Sequence, residues 1–263
     1  MSIPLRRPVA ALSFLALLAL AGCETVTGPS GSGSLVTPVA GKPDAAKPGA
    51  AGGGRFVGDL ALGPDGCQAK GKCQLLAPLA YVDSNGVGWE ADKGNWTDGA
   101  SIPGWAKPIV GGSFDETFLK AAIIHDHYCD RHVRPWRETH WAFFDALNAM
   151  NLPPDKARLM YFAVLVGGPK WEKLDPAKAC SVGTACQKAA IPGAIEPRSR
   201  TIGTGDDRYL VRPASYGDAR FQRDMKAAAQ RLASSPDLSA EDIEAMARTA
   251  RPDDYYLKKT AAR

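Results

Sequence analysis

Apolar positions change their spacing several times along the 263-residue chain. Val9 to Leu20 is an apolar run of twelve broken once by Ser13, shorter than the ~18 residues a membrane-spanning helix needs. From Glu24 to Gly54 large apolar side chains nearly vanish after Val39. Leu75 to Val82 and Val87 to Glu90 then read as two strands around Ser84-Asn85-Gly86, and Asn-Gly is a strong hairpin signal. Asn95 to Pro103 has the composition of a loop. Ser113 and Glu116 fit an S-x-x-E capping box, which predicts a helix from about Phe114 to Arg131. Pro135 opens a second helix, Trp136 to Asn151, and Pro153-Pro154-Asp155 a third, to Val166, which Gly167-Gly168-Pro169 ends. The third helix is apolar nearly all round and belongs in the interior. Lys170 to Val211 carries no period and is expected to be irregular. Amphipathic helices follow at Gly217 to Ser234 and Ala240 to Ala250, the latter capped by Ser239, and the stripe Phe221, Met225, Ala228, Leu232 is expected to pack. The fold class predicted is α+β: a small antiparallel hairpin or sheet packed on a helical bundle, with a helical C-terminal extension. No internal repeat is present.

Composition adds an address. Arg6 and Arg7 give a positive start, and Leu20-Ala21-Gly22-Cys23 resembles the bacterial lipobox, in which the cysteine thiol is lipidated and becomes the mature N-terminus. Two or three acyl chains make such an attachment stable where one does not. Glu24, in place of Asp, favours the outer membrane by the same resemblance. The expectation is a lipid-anchored, periplasm-facing envelope protein, with Cys23 the lipidation site and the lipid its membrane partner. Four segments follow: a leader over 1–23, a disordered tether over 24–54, a core domain over 55–175, and an irregular segment with helices over 176–263. The tether is Gly, Ser, Pro, Ala and Thr, too poor in apolar surface to offset its entropy, with a reach of roughly 30 Å. The 27 glycines and 20 prolines of the chain agree with such stretches. Hydrophobic residues at 45% and charged residues at 23% are otherwise globular values. A net charge of +4, falling to near +2 without Arg6 and Arg7, gives no reason to expect nucleic acid. Arg198 to Arg231 holds eight basic and four acidic residues, a solvated face or a contact for anionic lipid or glycan. The oligomeric state is not legible.

Cysteine usage suits an oxidising compartment. Cys67 and Cys73 are separated by five residues, as are Cys180 and Cys186, and two local disulfides are the preferred reading of three connectivities. A zinc ribbon is the rival, although that spacing is long for one. Cys129 is left over.

All four histidines, His125, His127, His132 and His140, fall within sixteen residues. Phe118, Ala122, His125, Cys129 and His132 share one face of the first helix, and His140, Phe143, Phe144, Leu147 and Met150 form a stripe on the second. The short link through Arg134-Pro135-Trp136 makes the helices antiparallel neighbours, so at 1.5 Å per residue His125 and His140 stand at similar height, facing one another. Three readings of this cluster stay open. His125 with Asp126 can be a general base beside a carboxylate that holds a hard cation. His125, Cys129 and His140, with Asp98, offer the nitrogen and sulfur donors zinc prefers. The histidines can also be structural, sealed beneath Phe144 and bonded internally. Trp136 and Trp141 read as packing.

Two resemblances follow. Trp96-Thr97-Asp98-Gly99-Ala100-Ser101-Ile102-Pro103, then Phe118 through His125-Asp126, then Phe144 and Leu147, resemble the uncharacterised phage and bacterial family called domain of unknown function 1353, over about Leu75 to Trp171. That family name implies no activity. The order Asp-Gly-x-Ser, Phe-x-x-Ala-x-x-His-Asp and a second helix is similar, at motif level, to prokaryotic phospholipase A₂. That similarity implies His125 as the base that activates water, and Asp126 and Asp98 as ligands of Ca²⁺, which would polarise an ester carbonyl. Two departures stand out: Cys129 occupies a position usually Tyr, and His140 replaces the carboxylate that orients the base, with Asp145 off its face. Two functions are carried forward. One is a metal-assisted hydrolase of an envelope ester or amide, with His125 and His140 catalytic and Ca²⁺ or Zn²⁺ as cofactor. The other is a non-catalytic envelope lipoprotein that binds lipid, glycan or a protein partner.

Overall fold

A computed structural model describes residues 53–63, 71–174, 198–235 and 237–260. The leader, the tether up to residue 52, and Cys23, Cys67, Cys180 and Cys186 lie outside the described residues. Among the described residues the fold is α+β, with seven helices and three antiparallel sheets of three strands each. The strands are β1 (Arg55–Val57), β2 (Leu62–Gly63), β3 (Cys73–Leu75), β4 (Leu79–Val82), β5 (Gly88–Ala91), β6 (Trp96–Thr97), β7 (Lys170–Lys173), β8 (Arg200–Ile202) and β9 (Tyr209–Arg212). The helices are α1 (Lys107–Val110), α2 (Leu119–Arg131), α3 (Trp136–Ala149), α4 (Pro154–Gly167), α5 (Ala219–Ser234), α6 (Ala240–Ala250) and α7 (Tyr255–Thr260). None of the described helices is long and apolar enough to cross a membrane.

The expected hairpin forms from β4 and β5, with Leu79 opposite Ala91 and Tyr81 opposite Trp89. These four alternate onto one buried face, as a pleat with one solvated side requires. Asp83 organises the turn: its Oδ1 accepts the N–H groups of Asn85 and Val87 at 2.9 Å, and its Oδ2 accepts the Trp89 indole N–H at 2.9 Å. Gly86 supplies the left-handed backbone, φ +81°, that this loop needs. The strand expected over Leu75 to Val82 is in fact two, because Leu76, Ala77 and Pro78 break it and β3 pairs with β2 and β6 in a separate sheet. Cys73 is fully buried in β3.

The capping box expected at Ser113 does not form. The Ser113 carbonyl instead accepts the N–H of Ala100, and Asp115 turns the chain by accepting the Thr117 N–H and hydroxyl, so α2 begins at Leu119. The helix α1, absent from the sequence reading, lies in the same connection. Helix α2 is covered on most faces and stops where His132 adopts the left-handed conformation, φ 58°. The hairpin is pinned to α3 by Asp145, whose Oδ2 accepts the Tyr81 hydroxyl at 2.5 Å and the Ser84 N–H at 2.9 Å. Helix α4 is apolar nearly all round and is packed by α3, α5 and α6, as its pattern demands. The stripe Phe221, Met225, Ala228, Leu232 on α5 is buried, and Ser239 caps α6 in a reciprocal box with Asp242.

The stretch expected to be irregular contains a third sheet. β7 pairs with β9, and β9 with β8, so residues 170–173 and 200–212 share one set of ladder hydrogen bonds. These strands are three or four residues long, too short to show an alternating period. Two buried ion networks close this end. Lys170, fully buried, lies 3.5 Å from Asp254, and Arg212 donates to the same Asp254 oxygen at 2.5 Å. Glu244 accepts Arg137 at 2.5 Å and the Tyr161 hydroxyl at 2.9 Å.

Candidate functional site

The site is a cavity of about 720 Å³ whose floor is α2. Its wall on one side is the loop after β6. There the Thr97 hydroxyl accepts the Gly99 N–H at 3.0 Å, Gly99 sits at φ +75°, and Ala100 donates to Ser113 at 2.8 Å. A Cβ at position 99 would lie 2.3 Å from the Ser113 carbonyl oxygen, so glycine alone fits. This folding presents Asp98 and Ser101 to the cavity. The C-terminal segment adds Arg200, Ile202, Tyr216, Phe221 and Met225 to the lining.

His125, Asp126 and Cys129 line the floor. His125 and His140 meet, with His125 Nε2 and His140 Nδ1 2.9 Å apart. The other nitrogen of His125, Nδ1, lies 3.3 Å from Asp126 Oδ1. Cys129 Sγ, a free and buried thiol, stands 3.5 Å from His125 Nε2. Phe143, rather than Phe144, packs on the His125 ring at 4.7 Å between centroids; Phe144 stacks instead on Tyr161. His140 is fully buried behind His125, between Trp136 and Trp171 and against Gly168. Its Nε2 has no partner in hydrogen-bond geometry among the described residues, although the Pro169 backbone is near enough to favour the protonated ring.

The electrostatics are those of a deep polar floor. Protein encloses Asp126, yet 31% of its side chain faces the cavity. Burial raises its pKa, as do the charges of Asp98 and Asp130, while the His125 contact lowers it. Burial pushes the Cys129 thiol well up, helped by Asp126 and Asp130. Burial holds His140 well below the usual histidine range, and nearby positive charge on His125 and Lys170 does the same. Tyr216 is kept protonated by burial and then by negative charge on Cys129 and Asp126.

The structure thus brings His125, His140, Asp126 and Cys129 together, with Asp98 on the same cavity. Among the described residues, the donor set of three or more within 4.8 Å of one another is His125, Cys129 and His140. Asp98 and Asp126 belong to no such set. His127 points elsewhere, its Nε2 4.0 Å from Asp92, and His132 packs edge-on against Trp171. Trp136 and Trp141 pack on the core. Sequence reasoning missed Tyr216 and Arg200, which reach the cavity from segments without periodicity and carried no motif.

The T-D-G-A-S loop and the His125-Asp126 pair in the middle of α2 thus line one cavity in a bundle that carries the β4–β5 hairpin. Residues 73–164 match the family described as "Protein of unknown function (DUF1353)". Two curated relatives come from Sinorhizobium fredii (strain NBRC 101917 / NGR234). The chain is 48% identical to the uncharacterized protein y4iH over 112 residues, 43% of this chain and 47% of that protein. It is 36% identical to the uncharacterized protein y4jT over 120 residues, 44% of this chain and 36% of that protein. The chain therefore spans less than half the length of these relatives. No solved structure gives a significant match.

Proposed function

We propose that the chain is an envelope lipoprotein, held through Cys23 and facing the periplasm, whose core hydrolyses an ester or amide. The observation that supports this reading is the joint placement of His125, Asp126 and Asp98 on one large cavity, with His125 fixed from behind by His140. Both His125 nitrogens are engaged, so the group left open to water is the Asp126 carboxylate. In this reading Asp126 takes the proton of a water whose oxygen attacks the substrate carbonyl carbon. The proton then passes to the leaving alcohol or amine as the acyl bond breaks. His125 holds Asp126 in place, His140 holds His125, and Tyr216, which also lines the cavity, supplies a hydroxyl donor for the developing oxyanion. The apolar lining of Ile102, Trp105, Phe221 and Met225 suits the hydrocarbon part of an envelope lipid or acylated substrate.

The engagement of both His125 nitrogens also favours a second reading, a non-catalytic protein that binds lipid, glycan or a partner in the same cavity. A His125→Ala variant separates the two. Hydrolysis predicts release of acid from ester-bearing lipids or envelope fractions by the wild type and at least a hundredfold less by the variant, consistent with positioned acid–base chemistry worth ~10²–10⁴. Equal release by both proteins removes His125 from any chemistry, and binding without release supports the second reading.

A further inference from the structure

We infer that His125 Nε2, His140 Nδ1 and Cys129 Sγ form a three-ligand zinc site with its fourth position open to the cavity. The inference names the cofactor of the hydrolase proposed above, but it stands on the donor geometry alone. Zinc takes nitrogen at about 2.0–2.1 Å and thiolate sulfur at about 2.3 Å in a tetrahedron, which sets ligand nitrogens about 3.4 Å apart and nitrogen and sulfur about 3.6 Å apart. The nitrogens here are 2.9 Å apart and the sulfur lies 3.5 Å from His125 Nε2, with all three atoms within 4.8 Å of one another. A parting of the two rings by roughly half an ångström admits the ion.

The surroundings match what ligating histidines require. A zinc-bound imidazole donates its other N–H to a carboxylate or a carbonyl, which fixes tautomer and ring orientation. His125 Nδ1 faces the Asp126 carboxylate at 3.3 Å. His140 turns Nε2 toward Gly168 and the Pro169 backbone. Gly168 is needed there, since a Cβ would come within 3.0 Å of Nε2 and 2.4 Å of the Val164 carbonyl oxygen. The donors are two imidazoles and a thiolate, a set that selects zinc over calcium. His125, Cys129 and the neighbouring Asp126 line the cavity while His140 does not, so an ion held by these donors would be approached from the cavity side. Three protein ligands with an open position is the arrangement of catalytic rather than structural zinc.

Metal analysis of the untagged full-length chain in detergent tests this. The expected result is one tightly held Zn²⁺ per chain, and with Co²⁺ in its place a thiolate-to-cobalt charge-transfer band. Cys129→Ser, which keeps the side-chain volume, should abolish that band and weaken Zn²⁺ binding at least a hundredfold; Asp126→Asn should keep both metal and band. The inference is overturned by an absence of stoichiometric metal, by binding of Ca²⁺ alone, or by a Co²⁺ spectrum that Cys129→Ser leaves unchanged. A metal-free chain that still hydrolyses esters would sink the zinc site and spare the hydrolase, whereas a zinc-loaded chain that releases nothing would do the reverse.

Discussion

Asp126→Asn is expected to reduce hydrolysis by on the order of 10²–10⁴-fold while leaving the thermal midpoint within a few degrees of wild type. The carboxylate is the proton acceptor left open on the cavity floor, because His125 spends one nitrogen on it and the other on His140. An amide of the same shape keeps an oxygen for His125 Nδ1–H but cannot take the proton of water. The cavity-facing position of Asp126 means no buried charge is stranded by the change, so stability and rate part company. A parallel comparison of kcat and the unfolding curve checks this; loss of both together would show that Asp126 serves the fold instead.

The largest loss of stability is expected from Asp254→Ala, about 3–5 kcal/mol by denaturant unfolding. Asp254 faces Lys170 and Arg212 and caps α7 through the N–H groups of Tyr256 and Leu257. Burial pushes its carboxyl up, but Lys170 and Arg212 outweigh that and keep it below the usual range. Without it, Lys170 and Arg212 lose the carboxylate they share. Lys170 shows the strain already: burial and then the Arg212 charge lower its pKa to about 7, against the partial relief from Asp254. Between about pH 7 and about 10.5 the unfolded chain binds a proton at Lys170 that the folded chain does not, so this group makes stability rise with pH across that window. The penalty is fully present below pH 7. Lys170→Met should remove this slope and be neutral or stabilising, by roughly 1–4 kcal/mol at neutral pH, because Asp254 retains Arg212. Unfolding of both variants across pH 6 to 9 gives the comparison.

The bundle was legible because its signals are local. Pro135 and the Pro153-Pro154 pair mark the starts of α3 and α4 to within a residue, and the apolar circumference of α4 foretells its central place. Helical offsets of about six residues before the turn and four after it set His125 and His140 at similar height, and their facing ring nitrogens lie 2.9 Å apart. Where reading failed, a tertiary partner outbid a local one. Ser113 had the sequence of a cap, but its carbonyl is claimed by Ala100 across the loop, which moves the start of α2 from Phe114 to Leu119. Strand β7 exists through pairing with β9, some forty residues on, and β8 through its hairpin with β9, and nothing within any one of these short strands announces it. Tyr216 reaches the cavity by the same route. The family resemblance singled out the T-D-G-A-S loop and the His125-Asp126 pair and left their chemistry blank.

The most direct measurement of the central claim uses the full-length chain, an extract of bacterial envelope and water enriched in ¹⁸O. The account predicts carboxylic acids released with one ¹⁸O each, at a rate that collapses in Asp126→Asn. Released acids without the label, or the same release from wild type and Asp126→Asn, would contradict it.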